Sequence, residues 1–365
     1  MKNKNDPVNM SQEFHTLSIS KLEKPIKDAV SISFSLPEHL YKEFSYHPGQ
    51  HLLIDFQIEG ESYRRTYSLN SSPFLEEELQ ITIKRLKEGK VSNYANDQLR
   101  VGDELKVMLP KGRFYAEVNP EAYKSYYLFA AGSGITPIFS ILKSVLITSP
   151  HSQVYLFYGN KNQDTILFKE ELQQLEAEYE DRFHLLHILS DPKIWTTWES
   201  WKGKKGRIDS TEIEDFISHH PPIAQQTEYY ICGPSSMNVD VRDSLRELGV
   251  PADLIHIEHF SAYSIAASNK IESVDQAKLE LHYQKDSFHL ELKKDQTLLQ
   301  ALKANGIEVP YSCESGICGS CVSKVVEGSA EMKSCMALDE KDIKAGYILN
   351  CQALATSKNL KIKIQ

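Results

Sequence analysis

The sequence predicts three folded units in series: an all-β unit built as an antiparallel sheet or barrel, an α/β unit with a parallel sheet, and a small α+β unit at the C-terminus. Three observations predict it. Apolar and polar residues alternate with period two in the first third, short apolar runs alternate with helical stretches in the middle, and five of the six cysteines lie at or beyond position 313. A length of 365 residues exceeds one domain of ~100–200 residues. Hydrophobic residues at 41% and charged residues at 25% are globular values, which excludes a disordered or fibrous chain.

The first unit spans residues 11–117. Val30, Ile32, Phe34 and Leu36 alternate with Ser31, Ser33 and Ser35, and Leu79, Ile81 and Ile83 alternate with Gln80, Thr82 and Lys84. Leu105, Val107 and Leu109 repeat the pattern, and Pro48-Gly49, Glu59-Gly60 and Lys111-Gly112 break it at turns. In the second unit, residues 120–260, the apolar runs Tyr126–Ala131, Val154–Tyr158, His184–Leu189 and Tyr229–Cys232 are separated by helical stretches at Pro137–Ile147, Phe168–Tyr179 and Ser235–Leu248. Such alternation implies βα units. Residues 261–277, rich in Ser and Ala, read as a linker. The third unit, 278–365, carries strands near Leu279–Tyr283 and Phe288–Leu292 and a helix near Leu298–Asn305.

Charge and hydropathy exclude several functions. The net charge of −9 argues against nucleic acid, whose phosphates require a basic face. Apolar stretches fall far short of the ~18 residues that span a bilayer. The first ten residues are polar and form no export signal, so the expected location is the cytoplasm. In that compartment the cysteines read as metal ligands or catalytic thiols before disulfides, and their clustering points to one local site.

Cys313, Cys318, Cys321 and the distant Cys351 give C-x4-C-x2-C…C, the plant-type [2Fe–2S] spacing. Gly316 and Gly319 allow the backbone to approach a cluster closely. A zinc site would use paired knuckles, and only one C-x2-C is present. Cys335 competes with Cys351 as fourth ligand and reads as a small, partly buried residue.

Nucleotide signals are individually modest. In Arg65-Thr66-Tyr67-Ser68-Leu69-Asn70-Ser71 a cation and an aromatic share one strand face, able to hold a phosphate and cover a flat ring. The same pattern is common on exposed strands. Gly89-Lys90-Val91-Ser92 precedes a helix from Asn93, with Ser92 at the N-cap position, an anion site or a plain capped helix. Gly132-Ser133-Gly134-Ile135-Thr136-Pro137 joins a strand to a helix, a phosphate cradle in which Pro137 replaces the third glycine of GxGxxG. Tyr158-Gly159-Asn160-Lys161 ends the next strand without an acid. Cys232-Gly233-Pro234-Ser235-Ser236-Met237 puts Cys232 at the carboxyl end of a strand, where it is either a ligand-facing thiol or a small core residue.

In order, RTYSLNS, GKVS, GSGITP, YGNK, CGPSSM, HIEHF and CESGICGSC…C resemble the ferredoxin–NADP reductase superfamily fused to a plant-type ferredoxin, as in reductase components of multicomponent oxygenases. The likeness runs from Phe14 to Gln365. It implies an FAD-binding β-barrel, an NAD(P)-binding α/β domain and a β-grasp ferredoxin domain. By resemblance Arg65 binds the FAD pyrophosphate, Tyr67 packs on the isoalloxazine, Ser68 hydrogen-bonds near the flavin N5, and Ser92 caps the pyrophosphate. Gly132, Gly134 and Thr136 hold the pyridine nucleotide, Cys232 and Gly233 lie by the nicotinamide, Lys161 lies by the adenosine ribose, and Phe260 covers the flavin. Ser68 and Cys232 are the implied catalytic pair, and Cys313, Cys318, Cys321 and Cys351 the implied cluster ligands. Asn70 departs from many relatives. The implied flow runs from NAD(P)H through FAD and the cluster to an oxygenase component of di-iron or Rieske type. The rival readings are a flavin or quinone reductase using small acceptors and a non-enzymatic redox sensor.

Three further signals read as structure. His219-His220-Pro221-Pro222 fits a loop, His184-x2-His187 fits a strand, and Trp195, Trp198 and Trp201 fit packing.

Overall fold

The computed structural model describes residues 14–193, 201, 203–224, 226–260, 271–311, 313–316, 319–335, 337, 338 and 340–364, with the backbone alone at 340 and 341. Cys318, Trp195, Trp198, residues 11–13 and residues 261–270 of the expected linker lie outside that set.

The first sheet contains β1 (His15–Glu23), β2 (Ala29–Ser35), β3 (His51–Ile58), β4 (Glu61–Ser68), β5 (Leu79–Lys84) and β6 (Glu104–Val107) in the order β4-β3-β6-β1-β2-β5. Every pairing is antiparallel, and a bridge from Leu69 to Ile81 joins the two edges into a barrel. Leu17, Ile32, Phe34, Ile54, Phe56 and Ile81 fill its interior. Helix α1 (Lys90–Asp97) packs its Val91 and Ala95 onto the same core.

The serine face of β2 is covered rather than solvated. Ser31 and Ser33 are buried. Ser31 bonds the Thr82 hydroxyl at 2.8 Å, and Gln80 donates to Ser33 at 3.1 Å. Ala29, on the same strand face, joins a core cluster shared with the second unit, so a neighbouring domain stands over that face.

The second sheet is wholly parallel. It holds β7 (Lys124–Ala131), β8 (Gln153–Asn160), β9 (Phe183–Leu189), β10 (Lys204–Lys205), β11 (Gln226–Gly233) and β12 (Ile255–His259) in the order β10-β9-β8-β7-β11-β12. Helices α2 (Ile135–Thr148), α3 (Lys169–Glu178), α4 (Ser210–His219) and α5 (Ser235–Glu247) connect the strands. The apolar runs do not announce α4, which buries only Ile213 and Phe216 and is capped by Asp209 accepting from the Glu212 N–H at 3.0 Å. The strand order reverses between β7 and β11, the point where open parallel sheets bind ligands.

The third unit has a mixed sheet of β13 (Ala277–Tyr283), β14 (Asp286–Leu292), β15 (Val322–Glu327), β17 (Tyr347–Leu349) and β19 (Asn359–Ile364), ordered β14-β13-β19-β15-β17. β16 (Ala330–Met332) pairs with β18 (Ala353–Ala355), and α7 spans Glu340–Lys344. The sheet grips α6 (Leu298–Ala304), whose Leu298, Leu299 and Leu302 are buried and whose N-terminus carries a capping box from Thr297 and Gln300. The Val274 N–H bonds the Ala355 carbonyl at 2.9 Å and Ala277 begins β13, so the Ser/Ala-rich stretch is joined to this sheet before its end. Among the described residues no helix is long and apolar enough to cross a membrane.

Candidate functional site: a cavity between barrel and parallel sheet

The carboxyl ends of β7 and β11 carry two glycine turns that lock together. A Cβ built on Gly134 would lie 2.0 Å from the Cys232 carbonyl oxygen, so no other residue fits there without displacing β11. Gly132 adopts φ +56°, and its carbonyl accepts from the Tyr158 hydroxyl at 3.1 Å. Thr136 is buried with its hydroxyl donating to the Ser133 carbonyl at 3.0 Å, which holds the turn closed at the start of α2.

These turns form one wall of a cavity of about 1140 Å³ whose opposite wall is the barrel. Arg65, Tyr67, Ser68 and Ser92 line the barrel side; Gly132, Gly134, Thr136, Lys161, Gly233 and Phe260 line the other. Ten of the eleven expected cofactor contacts are therefore brought to one space, which can hold an extended dinucleotide. The Arg65 side chain is exposed along β4, and Tyr67 packs edge-on against Phe56 at 6.1 Å, fixing its ring. Burial pushes the Tyr67 phenol well above its ordinary range, so it stays neutral.

Two expectations need correction. Ser92 is not the N-cap: the helix starts at Lys90 with Gly89 at the cap, and no side chain caps it. The Ser92 hydroxyl folds back, accepting from the Leu86 N–H at 3.0 Å and donating to the Gly89 carbonyl at 3.1 Å. The bare Cα of Gly89 makes this possible, since a Cβ there would meet the Ser92 Oγ at 2.4 Å. The uncapped first turn of α1 lines the cavity with no acid in it, which leaves its amides for an anion. Cys232, the eleventh contact, is fully buried in the apolar core rather than on the cavity wall. Burial, with Glu258 adding to it, holds its thiol well above the ordinary range.

The structure adds residues that the sequence reading did not assign. Glu258 of β12 lines the cavity, accepts from the Ser68 hydroxyl at 3.2 Å and lies 3.7 Å from His51 Nδ1. HIEHF contains it, but no spacing rule singles out the acid, because its partners come from strands nearly two hundred positions away. Lys84 also lines the cavity, with its ammonium lowered by burial against a weaker opposing pull from Asp28. A desolvated cation facing a nucleotide-sized space suits a phosphate.

The cysteine loop reaches the same cavity through Ser315. Glu314, Gly316 and Gly319 all take left-handed backbone angles (φ 53°, 79° and 71°), winding the loop tightly. Cys313, Cys321 and Cys351 are buried. The Cys351 thiol lies below its ordinary value, chiefly through a hydrogen bond with Cys321, and the Gly316 amide also bonds it. Cys335 instead is half-buried, directs its thiol to the Leu338 carbonyl at 3.8 Å and is raised by burial. Three buried thiols, one of them lowered chiefly by its hydrogen bond with another and also bonded by a backbone amide, fit an iron–sulfur cluster better than a set containing Cys335. Without Cys318, the described residues alone form no complete group of metal ligands.

A flavin-sized barrel wall, a parallel-sheet cradle and a cysteine loop on one cavity define an iron–sulfur flavoprotein oxidoreductase. Family models agree in the same order: an oxidoreductase FAD-binding domain matches residues 16–115, an oxidoreductase NAD-binding domain 128–243, and a 2Fe-2S iron-sulfur cluster binding domain 281–356. The chain is 32% identical over 352 residues to one of the subunits of 1,2-phenylacetyl-CoA epoxidase from Escherichia coli (strain K12), covering 96% of this chain and 97% of that protein. It is 34% identical to the ferredoxin reductase component of 3-ketosteroid-9-alpha-monooxygenase from Rhodococcus rhodochrous, over 95% of this chain and 96% of that one. The fold matches phthalate dioxygenase reductase with a TM-score of 0.61 at 24% identity, covering 96% of this chain and 98% of that chain. The chain belongs to the family of oxygenase reductase components built from FAD-binding, NAD-binding and [2Fe–2S] domains.

Proposed function

We propose that this protein is an NAD(P)H-dependent reductase that works in the cytoplasm and passes electrons to an oxygenase component. One observation carries the reading: barrel, glycine turns and cysteine loop line a single cavity. In this reading residues 11–117 hold FAD, 120–260 hold the pyridine nucleotide, 278–365 hold the cluster, and 261–277 connect them. When bound, the flavin accepts a hydride from NAD(P)H and the cluster takes electrons singly, which splits a two-electron donor for a one-electron acceptor.

The chain's own residues position these groups. Arg65, Lys84 and the open first turn of α1 neutralise the pyrophosphates. Tyr67, held by Phe56, presents a neutral face to the flavin ring. Gly132, Gly134, Thr136 and Gly233 let the pyridine nucleotide approach the backbone, with Lys161 at its adenosine end and Phe260 over the flavin. Ser68 and Glu258 span the cavity and set the spacing of its two walls, where hydride transfer occurs. Cys313, Cys318, Cys321 and Cys351 ligate the cluster. Anaerobic mixing of the pure protein with NADPH or NADH tests the reading: both flavin and cluster bands should bleach within the mixing experiment. Bleaching of neither would identify a redox sensor instead.

A further inference from the structure

The third unit meets the barrel through side chains rather than through packed elements. Among the described residues no strand or helix of its sheet packs extensively on an element of the other two sheets. Cys313 joins Leu53, Met108 and Phe14 in a small apolar cluster. The Arg64 guanidinium lies 5.0 Å from the Phe14 ring centre and 5.5 Å from that of Tyr311, with Asp55 at 3.7 Å. At the rim Arg113, 75% exposed, reaches Asp342 at 2.9 Å. The parallel-sheet unit is fastened differently, by buried hydroxyls: Ser72 bonds Ser144 at 2.8 Å, and Ser140 donates to the Ser71 carbonyl at 2.6 Å.

Exposed ion pairs and cation–π contacts are individually weak, and interfaces built from them permit domain motion. Yet these contacts give the loop a definite orientation. Ser315 faces the cavity, and Glu314 is tied to Lys303 at 2.9 Å, which itself sits 4.7 Å over the Tyr311 ring. With the loop so seated Cys313 is buried and Ser315 half-buried, so these two cannot at the same time touch an external protein, although Glu314 between them stays exposed.

We propose that Arg64, Tyr311 and the Arg113–Asp342 pair form a latch. Closed, it seats Cys313 and Ser315 on the flavin cavity to receive electrons; open, it exposes both of them to a protein acceptor carrying a one-electron centre. The proposal rests on the reductase reading above. With the cofactors bound, one electron would pass from reduced flavin to the cluster site while the latch is closed, and one would pass on to the acceptor while it is open. No bond is made or broken, and two cycles deliver the pair that one hydride brought. The four groups are positioning residues.

The test uses the full-length holoprotein. Asp342→Lys sets like charges against each other, and adding Arg113→Asp restores the attraction with reversed sign. Small-angle scattering should show a larger radius of gyration for Asp342→Lys and the wild-type value for the pair. In single turnover with NADPH, bleaching of the cluster band should slow at least about threefold in Asp342→Lys and recover in the pair, with flavin bleaching unchanged. Unchanged scattering and unchanged transfer would remove the latch. The second arm locks it shut, bridging Arg113→Cys and Asp342→Cys with a bismaleimide in a Cys335→Ser background. The locked protein should reduce ferricyanide normally and lose reduction of cytochrome c by about tenfold or more against the unbridged control. Cytochrome c reduction at the control rate would put the electron exit on another face. Both arms leave the reductase reading intact, because that reading fails only if wild-type flavin and cluster do not bleach with NADPH.

Discussion

The Ser68 hydroxyl, at the end of β4, donates across the cavity to the Glu258 carboxylate on β12 at 3.2 Å, and the other carboxylate oxygen lies 3.7 Å from His51 Nδ1. One half-buried acid thus ties the barrel to the last strand of the parallel sheet, at the place where the proposed function has the two cofactors meet. Glu258→Ala should slow hydride transfer from NADPH about a hundredfold, the scale on which small misplacements act, while flavin stays bound. Stopped-flow bleaching of the flavin band measures it. A wild-type rate would show that the tie does not govern the approach.

Serine replacements of Cys313, Cys318, Cys321 and Cys351 should each abolish the visible absorption of the cluster and leave flavin in place. Cys335→Ser should keep the cluster, because its thiol points to the Leu338 carbonyl. Loss of the cluster in Cys335→Ser together with its retention in Cys351→Ser would reverse the ligand assignment.

Arg65 projects from β4 with one guanidinium N–H on the Arg64 carbonyl at 2.7 Å, leaving its other donors for a ligand. Arg65→Ala should release flavin during purification without unfolding the barrel. The flavin extracted from wild type should be FAD, since Arg65 and the open turn of α1 are two separate anion positions. Recovery of FMN alone would contradict the assignment.

Lys161 lines the cavity 3.9 Å from Asp191, with Arg207 also in its lining, and the proposed function puts the adenosine there. No acid at the end of β8 grips a ribose 2′-hydroxyl, and the lysine tolerates a 2′-phosphate. NADH and NADPH should give kcat/KM values within about tenfold of each other, and Lys161→Ala should raise KM for NADPH more than for NADH. Steady-state kinetics with about hundredfold discrimination in wild type would overturn this.

His187 sits between Tyr158 and Trp201, and burial lowers its pKa to about 4. The native protein then binds fewer protons than the unfolded chain between pH 6.5 and about 4, so stability is full above that window and falls as pH drops through it. With a discount for the ring's partial exposure, the loss amounts to about 2 kcal/mol. Denaturant titrations at pH 7 and pH 4.5 check it, and His187→Gln should shrink the difference.

The sequence makes the architecture legible where local chemistry writes it. Strand alternation, the glycine turns and the cysteine spacing are properties of neighbouring residues, and each lands at the cavity or the cluster loop. What escapes is whatever depends on a second element. The burial of Ser31 and Ser33 cannot be read from β2 itself, because the unit that covers them is invisible there. Ser92 misreads as a cap because the bare Cα at Gly89 allows a fold-back that no capping rule contains. Cys232 reads equally as ligand or core, and its full burial in β11 is set by the helices and strands around it rather than by its neighbours in sequence. Glu258 gains its meaning only when β4 and β12 face each other.

The contact between Gly134 and the Cys232 carbonyl bears on redesign of this enzyme's coenzyme choice. Since a single methyl at 134 would collide with the backbone of β11, the two nucleotide-side turns behave as one interlocked piece that tolerates no graft at its centre. On the proposed function this leaves coenzyme choice to Lys161, Ser190 and Arg207, which line the same cavity away from the locked turns. Preference for one coenzyme is on that reading a peripheral trait, free to drift while the two turns stay fixed.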